Sequence, residues 1–272
     1  MKILTSAGID APDTGVFSIG QGMAAPTLMT WGNEEDKKRF LPDLASGEKI
    51  WCQLFSEPDA GSDAAGVKTK ATRVDGGWLV NGQKVWTTQG HHADYCFLLT
   101  RTDPDAKKHA GISYLLIDMK QPGIDVRPLK QMTGSSEFNE VFFTEVRVPQ
   151  ANVVGRRGEG WRIANTTLKH ERNMLASSAL LEGVFGALVA IMQQETSTGV
   201  RPIDSPVYRD RLLRLQAQVL SMKYHSLRML TCNLKGESTG VAGLVTKLTG
   251  CELSHQIAAL AIDALGELGV LY

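Results

Sequence analysis

Between Trp51 and Asn152 the chain consists of short apolar runs, each closed by a turn signal, and this stretch restricts the possible folds more than any other. Asp94 to Arg101, Gly111 to Met119, Ile124 to Leu129 and Asn139 to Val148 have the length and the β-branched or aromatic content of strands. Asp103-Pro104-Asp105 and Gln121-Pro122-Gly123 supply turns between them. Thr69 to Val74 and Trp78 to Val80 flank Asp75-Gly76-Gly77 as a hairpin, and Asn81-Gly82 predicts a second, two-residue turn. That second turn would return Trp86-Thr87-Thr88 toward the loop after Phe55. Regular spacing of this kind predicts a small β-barrel or sandwich.

Helical patterns flank this stretch. Pro12 and Gly15 punctuate the start, and Pro26 opens an apolar run from Ala24 to Trp31. Asn33 is placed to cap a helix whose first turn is Glu34, Glu35 and Asp36, and Leu41-Pro42 is expected to end or restart it. Beyond Gly158 the period becomes helical from about Trp161 to Glu195, with Leu181, Phe185, Leu188 and Met192 on one stripe. Ser205-Pro206 opens a further helix to about Lys235, and another runs from near Ser238, interrupted near Gly266 and Gly269. Helices, strands, then long helices make an α+β chain in three parts: 1–50 helical, 51–155 an antiparallel β-barrel, and 156–272 a helical bundle.

Charge excludes some functions. Lys plus Arg and Asp plus Glu number 29 each, so no global field draws the chain to nucleic acid or to an anionic membrane. Cys52, Cys96, Cys232 and Cys251 are scattered without a CxxC pair, which suggests neither a zinc site nor a disulfide framework. His91-His92 with Asp94 lacks a spaced fourth ligand, so no metal site is expected. The absence of a signal-like start or a long uncharged run leads us to expect a cytoplasmic protein.

The chemistry is expected around Trp51-Cys52-Gln53-Leu54-Phe55-Ser56-Glu57-Pro58, which breaks into Ala60-Gly61-Ser62-Asp63. Gly61 permits close backbone approach, and Ser62 and Asp63 are candidates to accept from the freed amides. An indole and two hydroxyls from Trp86-Thr87-Thr88 beside that loop suit a planar heteroaromatic ligand. Glu171 falls between Leu168 and Leu175 at helical spacing. A carboxylate on an apolar stripe is a candidate proton acceptor, while a solvated charge serving the helix is the alternative.

Four features, in this order, resemble the flavin-dependent acyl-CoA dehydrogenase family: Phe55 to Asp63, Trp86-Thr87-Thr88, Glu145-Val146-Arg147-Val148-Pro149, and Gly158-Glu159-Gly160-Trp161. Leu168-Lys169-His170-Glu171-Arg172 resembles the subgroup with its catalytic glutamate in a Leu-x-x-Glu-Arg motif. The resemblance implies FAD as cofactor and dehydrogenation of an acyl-CoA thioester to the 2,3-enoyl-CoA, with hydride transfer to flavin. It implies Glu171 as base. Phe55, Ser56, Trp86 and Thr88 would contact the flavin ring, and Ser62 and Arg172 the substrate. An electron-transfer flavoprotein would take the electrons, and the chain would form a homo- or hetero-oligomer.

The resemblance weakens toward the C-terminus. A flavin-contacting Arg-x-x-Phe-Gly motif has only Arg201 as a stand-in, and of a glycine-rich segment only Gly266 and Gly269 remain, beside Asp263 and Glu267. Family members carry more chain at both ends, which makes this chain look trimmed. A half-site partner of a heteromeric dehydrogenase and an oxygen-using acyl-CoA oxidase therefore stay open as alternatives.

Overall fold

A computed structural model describes residues 15–175 and 178–270. Pro12 lies outside them. The chain separates into two compact units, Met1–Glu171 and Arg172–Tyr272.

In the first unit a short 3₁₀ turn at Gly15–Phe17 precedes a π-turn at Gly20–Ala24, which runs into α1 (Ala25–Trp31) with Pro26 in the first turn, where its missing N–H costs nothing. α2 (Glu34–Ser46) opens as expected with a reciprocal capping box, in which the Asp36 amide donates to the Asn33 side chain and the Asn33 amide to Asp36. Pro42 corrects the sequence reading, since it sits inside α2. The helix ends instead at Gly47, whose φ of 76° supplies the left-handed residue of a helix stop.

The strands are β1 (Trp51–Leu54), β2 (Lys70–Val74), β3 (Gly77–Lys84), β4 (Tyr95–Arg101), β5 (Ile112–Asp118), β6 (Ile124–Leu129), β7 (Phe138–Pro149) and β8 (Val153–Val154). They form one eight-stranded sheet in the order β6-β7-β3-β2-β4-β5-β8, with β1 added on β4. The sheet is mostly antiparallel, but β1 pairs with β4 in parallel, and so does the start of β2. Cys52, Leu54, Trp78, Val80, Leu98, Leu115, Val141 and Val146 pack as its core. β7 alternates inward and outward residues, whereas β4 and β5 are buried on both faces.

Asn81-Gly82 is the second correction. The pair lies within β3, which continues to Lys84. The Asn81 side chain accepts the Glu145 amide at 2.9 Å, opposite a bulge in β7 where Glu145 takes a φ of 52°. Gly82 answers a close approach, because a Cβ there would stand 2.7 Å from Thr69 Cα. A two-residue turn and a bulge opposite a glycine share one sequence signature, so only the paired strand tells them apart.

Gly158 carries the chain from the sheet into α3 (Gly160–Leu175). The second unit contains α4 (Ser178–Met192), α5 (Pro206–Leu234) and α6 (Ala242–Leu265). Residues 176–177, within the continuous helix expected from Trp161 to Glu195, lie outside the described residues. Leu181, Leu188 and Met192 of α4 meet Leu212, Leu215 and Val219 of α5 and Leu253, Ile257 and Leu260 of α6 in an apolar core. Ser205 occupies the cap of α5 without a side-chain capping bond, and Pro206 stands in its first turn. Among the described residues no helix is long and apolar enough to cross a membrane.

Candidate functional site

β1 delivers Phe55 and Ser56 to the edge of the sheet. Phe55 is buried, its ring edge-on to Phe97 at 5.8 Å and to Tyr114 at 6.1 Å, and those two rings stack on each other at 5.6 Å. The chain then doubles back, with Glu57 and Ala60 exchanging backbone hydrogen bonds of 3.0 and 3.1 Å. The Val85 amide donates to the Ser56 carbonyl at 3.0 Å, which seats the exit of β3 against this loop. The residue before Trp86 thus reaches Ser56 along β3 itself, not through a turn at Asn81-Gly82.

Beneath the loop lies a group the sequence reading missed. Lys84, fully buried, donates to the Phe55 carbonyl at 2.9 Å, to Glu57 Oε1 at 2.8 Å and to the Leu99 carbonyl at 2.7 Å. Glu57 also accepts the amides of Lys68 at 2.6 Å and Thr69 at 3.0 Å. Burial lowers the Lys84 pKa to about 8, although Glu57 opposes the shift. Burial would raise Glu57, but the charge and hydrogen bond of Lys84 and the amides outweigh it and hold the carboxyl below its usual range. Glu57 thus holds the amides that lead into β2, beyond the Ala60 to Asp63 loop in which Ser62 and Asp63 are expected to accept.

Trp86 follows with a φ of 60°, a conformation few non-glycine residues adopt, and its indole is 63% exposed, edge-on to Phe138 at 6.0 Å. Thr87 is pinned from both sides. Its amide donates to the Asn139 carbonyl at 3.0 Å, and the buried Asn139 side chain donates to the Thr87 carbonyl at 2.9 Å. Thr88 beside it is half-buried. Ser62 is exposed in the loop above, where Asp63 pairs with Lys108 and Arg101 donates to the Ala65 carbonyl.

Glu171 lies on α3, half-buried. Ile163, Ala164 and Thr167 are buried on the face of this helix that Glu171 continues one turn on, at i+4 from Thr167. Thr167 Oγ1 lies 3.1 Å from the Tyr114 hydroxyl and 3.0 Å from Thr27 Oγ1. A continuous set of contacts thus runs from Phe55 through Tyr114 to Thr167, and one helical turn further stands Glu171. Arg172, also half-buried, opens the second unit.

The second unit holds Arg201 and Gly266. Arg201 makes two bonds to the Asp204 carboxylate, at 2.9 and 3.2 Å. Asp263 pairs with Arg211 at 2.7 Å, and Tyr208 donates to its carbonyl. Gly266 ends α6 with a φ of 56°. A groove of about 450 Å³ is lined by Val200, Pro202, Tyr208, Asp263, Gly266 and Glu267. Its two carboxylate-bearing residues make it a poor cradle for a diphosphate.

For a flavin ring the first unit fits better. Among the described residues Trp51 Nε1, Gln53 Oε1, two positions before Phe55, and Thr87 Oγ1, between Trp86 and Thr88, are buried without hydrogen-bond partners, and the last two belong to the strip. Buried polar atoms left in this way call for a ligand or water. With the exposed indole they give the strip polar edges and one flat face. His91 and His92 stand in a turn with their rings 3.9 Å apart, and no group of three or more metal-ligating residues occurs among the described residues.

Comparison with known proteins identifies the family. The N-terminal, middle and C-terminal domains of acyl-CoA dehydrogenase match residues 5–48, 52–146 and 158–271. The chain is 43% identical over 260 residues to acyl-CoA dehydrogenase FadE34 of Mycobacterium tuberculosis, covering 96% of this chain and 35% of that one. It is 37% identical to acyl-CoA dehydrogenase IpdE1 of Mycolicibacterium smegmatis, covering 97% of this chain and 68% of the relative. The solved structure described as Tcur3481-Tcur3483 steroid ACAD superposes with a TM-score of 0.83 at 31% identity, over 99% of this chain and 67% of that one. An α+β fold of helices, sheet and helices with these matches defines a class, and the chain belongs to the acyl-CoA dehydrogenase family. It spans about a third of FadE34 and about two thirds of IpdE1.

Proposed function

We propose that the chain is an FAD-dependent acyl-CoA dehydrogenase that converts an acyl-CoA thioester to its 2,3-enoyl-CoA. The observation that supports this reading is the run of contacts from the Phe55 ring through Tyr114 to Thr167, one helical turn before Glu171 on the same face of α3. Glu171 removes the proton α to the thioester carbonyl. The flavin, when bound, supplies the acceptor for the β hydrogen. Phe55, Ser56, Trp86 and Thr88 orient its ring, with the indole of Trp86 covering one face and excluding water. Ser62 contacts the CoA portion, and Arg172 lines the acyl pocket. Electrons leave to an electron-transfer flavoprotein, and the protein works as an oligomer in the cytoplasm. Its domains divide near residues 50 and 155.

A second reading is supported by the C-terminal unit: a half-site partner in a heteromeric dehydrogenase. Arg201 and Asp263, which by resemblance stand near where a flavin-contacting arginine motif and glycine-rich segment are expected, are paired with Asp204 and Arg211. Anaerobic addition of acyl-CoA to the flavin-loaded chain separates the two. Bleaching of the flavin that disappears in Glu171→Gln supports the dehydrogenase. Bleaching unchanged by that substitution means the base comes from elsewhere. Because one solved relative is described as a steroid ACAD, steroid-derived acyl-CoA belongs in the substrate panel beside branched and straight chains.

A further inference from the structure

We propose that Lys84 and Glu57 are positioning residues whose buried ion pair sets the register between the Phe55-Ser56 strip and the Trp86-Thr88 strip, and so determines how tightly a flavin ring is held. The proposal rests on the flavin reading above but concerns residues that would not touch the flavin.

Four backbone segments converge on this one pair. Lys84 holds the carbonyl of Phe55, just past β1, and the carbonyl of Leu99 on β4, while Glu57 holds the amides of Lys68 and Thr69 at the entry to β2. Lys84 itself is the last residue of β3, one step before Val85, whose amide bonds the Ser56 carbonyl. The two ring-facing strips are therefore tied twice, by Val85 to Ser56 and by Lys84 to Phe55. In water such a pair would contribute little, but here neither partner is exposed, so neither can exchange its bonds for solvent. An apolar side chain at 84 would fill the same space, take the Lys84 donor from two carbonyls, and leave the buried Glu57 carboxylate with the Lys68 and Thr69 amides but no counter-charge.

The site uses the charge for position. Packed against Lys84 are Glu57 from the loop and Cys96 from β4; burial pushes the Cys96 thiol well up, so it stays neutral. The network thus carries one positive and one negative charge with five bonds from Lys84 and Glu57 to the surrounding chain and to each other, counted as the Phe55, Leu99, Lys68 and Thr69 bonds plus the pair itself.

Three variants of the full 272-residue chain test this: Lys84→Met, Glu57→Gln and the double variant. Amide hydrogen exchange gives a readout that needs no flavin. The proposal expects at least tenfold faster exchange at Val85, Lys68 and Thr69 in Lys84→Met, with the amides of α5 around Leu215 and Val219, in the second unit, unchanged. FAD titration, followed by flavin fluorescence, is expected to show Kd raised at least tenfold in each variant. The double variant, which leaves no unpaired buried charge, recovers thermal stability relative to Lys84→Met without recovering FAD affinity. A purely structural role predicts instead that affinity returns with stability, and that result overturns the proposal. Unchanged exchange at Val85 overturns it as well. If the wild-type chain binds no FAD while Val85 is deprotected as expected, the register claim stands and the flavin reading fails.

Discussion

The two units use charge differently. In the sheet unit Lys84 and Glu57 are buried together and organise the backbone around the candidate ring site, whereas in the helical unit Arg201, Asp204, Arg211 and Asp263 pair on the surface with side chains about half exposed. Removing one member of a buried pair leaves an uncompensated charge, while surface pairs exchange readily with water. The comparison teaches where charge is committed to structure: the interior pair of the sheet unit is tied to surrounding backbone, whereas Arg201 and Asp263 are engaged with exposed neighbours in their own unit.

The largest effect is expected at Glu171. Glu171→Gln should slow flavin bleaching by acyl-CoA by about 10²–10⁴-fold, the usual contribution of a positioned base, with FAD affinity unchanged. Stopped-flow absorbance at fixed substrate measures it, and a rate within a few-fold of wild type removes Glu171 from the mechanism.

Next comes the buried pair. Lys84→Met should lower the unfolding free energy by about 3–5 kcal/mol, read from denaturant melts. Its pH dependence has an unexpected sign. The unfolded chain keeps the Lys84 proton to its ordinary 10.5, while the folded chain releases it at about 8. Wild-type stability therefore gains from this group as pH rises from about 8 toward 10.5, a gain absent from Lys84→Met. Glu57 acts at the acid end: its folded pKa lies below 4.5, so its contribution is lost as pH falls through that lowered value.

A smaller effect belongs to Trp86. Because its indole is exposed, Trp86→Ala should leave stability within about 0.5 kcal/mol of wild type while weakening FAD binding, seen as a raised Kd in the same titration. Loss of stability without loss of affinity would make the indole a packing residue. The smallest effect is expected in the second unit, where Arg201→Ala or Asp263→Asn should change stability by less than about 1 kcal/mol. A larger loss, or a tenfold loss of FAD affinity in either variant, would erase the contrast between the units.

Much of this was legible in the sequence. Strand limits at Ile124 and Leu129, the cap at Asn33 and the helix start at Pro206 follow from local rules, because alternation, capping chemistry and proline geometry act within a few residues. The Asn81-Gly82 turn was misread because β7, from far along the chain, determines whether a glycine bends or bulges. Pro42 inside α2 shows tertiary and capping context overriding a local stop. Lys84 and Asn139 were invisible for another reason. A lysine ending a strand is ordinarily solvated, and nothing near it in sequence announces Glu57, 27 residues earlier, as its partner. The one available signal was alternation, which places Lys84 on the inward phase with Val80.

The most direct test of the central claim, that the sheet unit holds a flavin ring on the Phe55 and Trp86 strips, is the visible absorption spectrum of the purified 272-residue chain after FAD addition and desalting. The account predicts retained, oxidised flavin whose bands shift in Trp86→Ala. A colourless protein that takes up no FAD at micromolar concentration would contradict it.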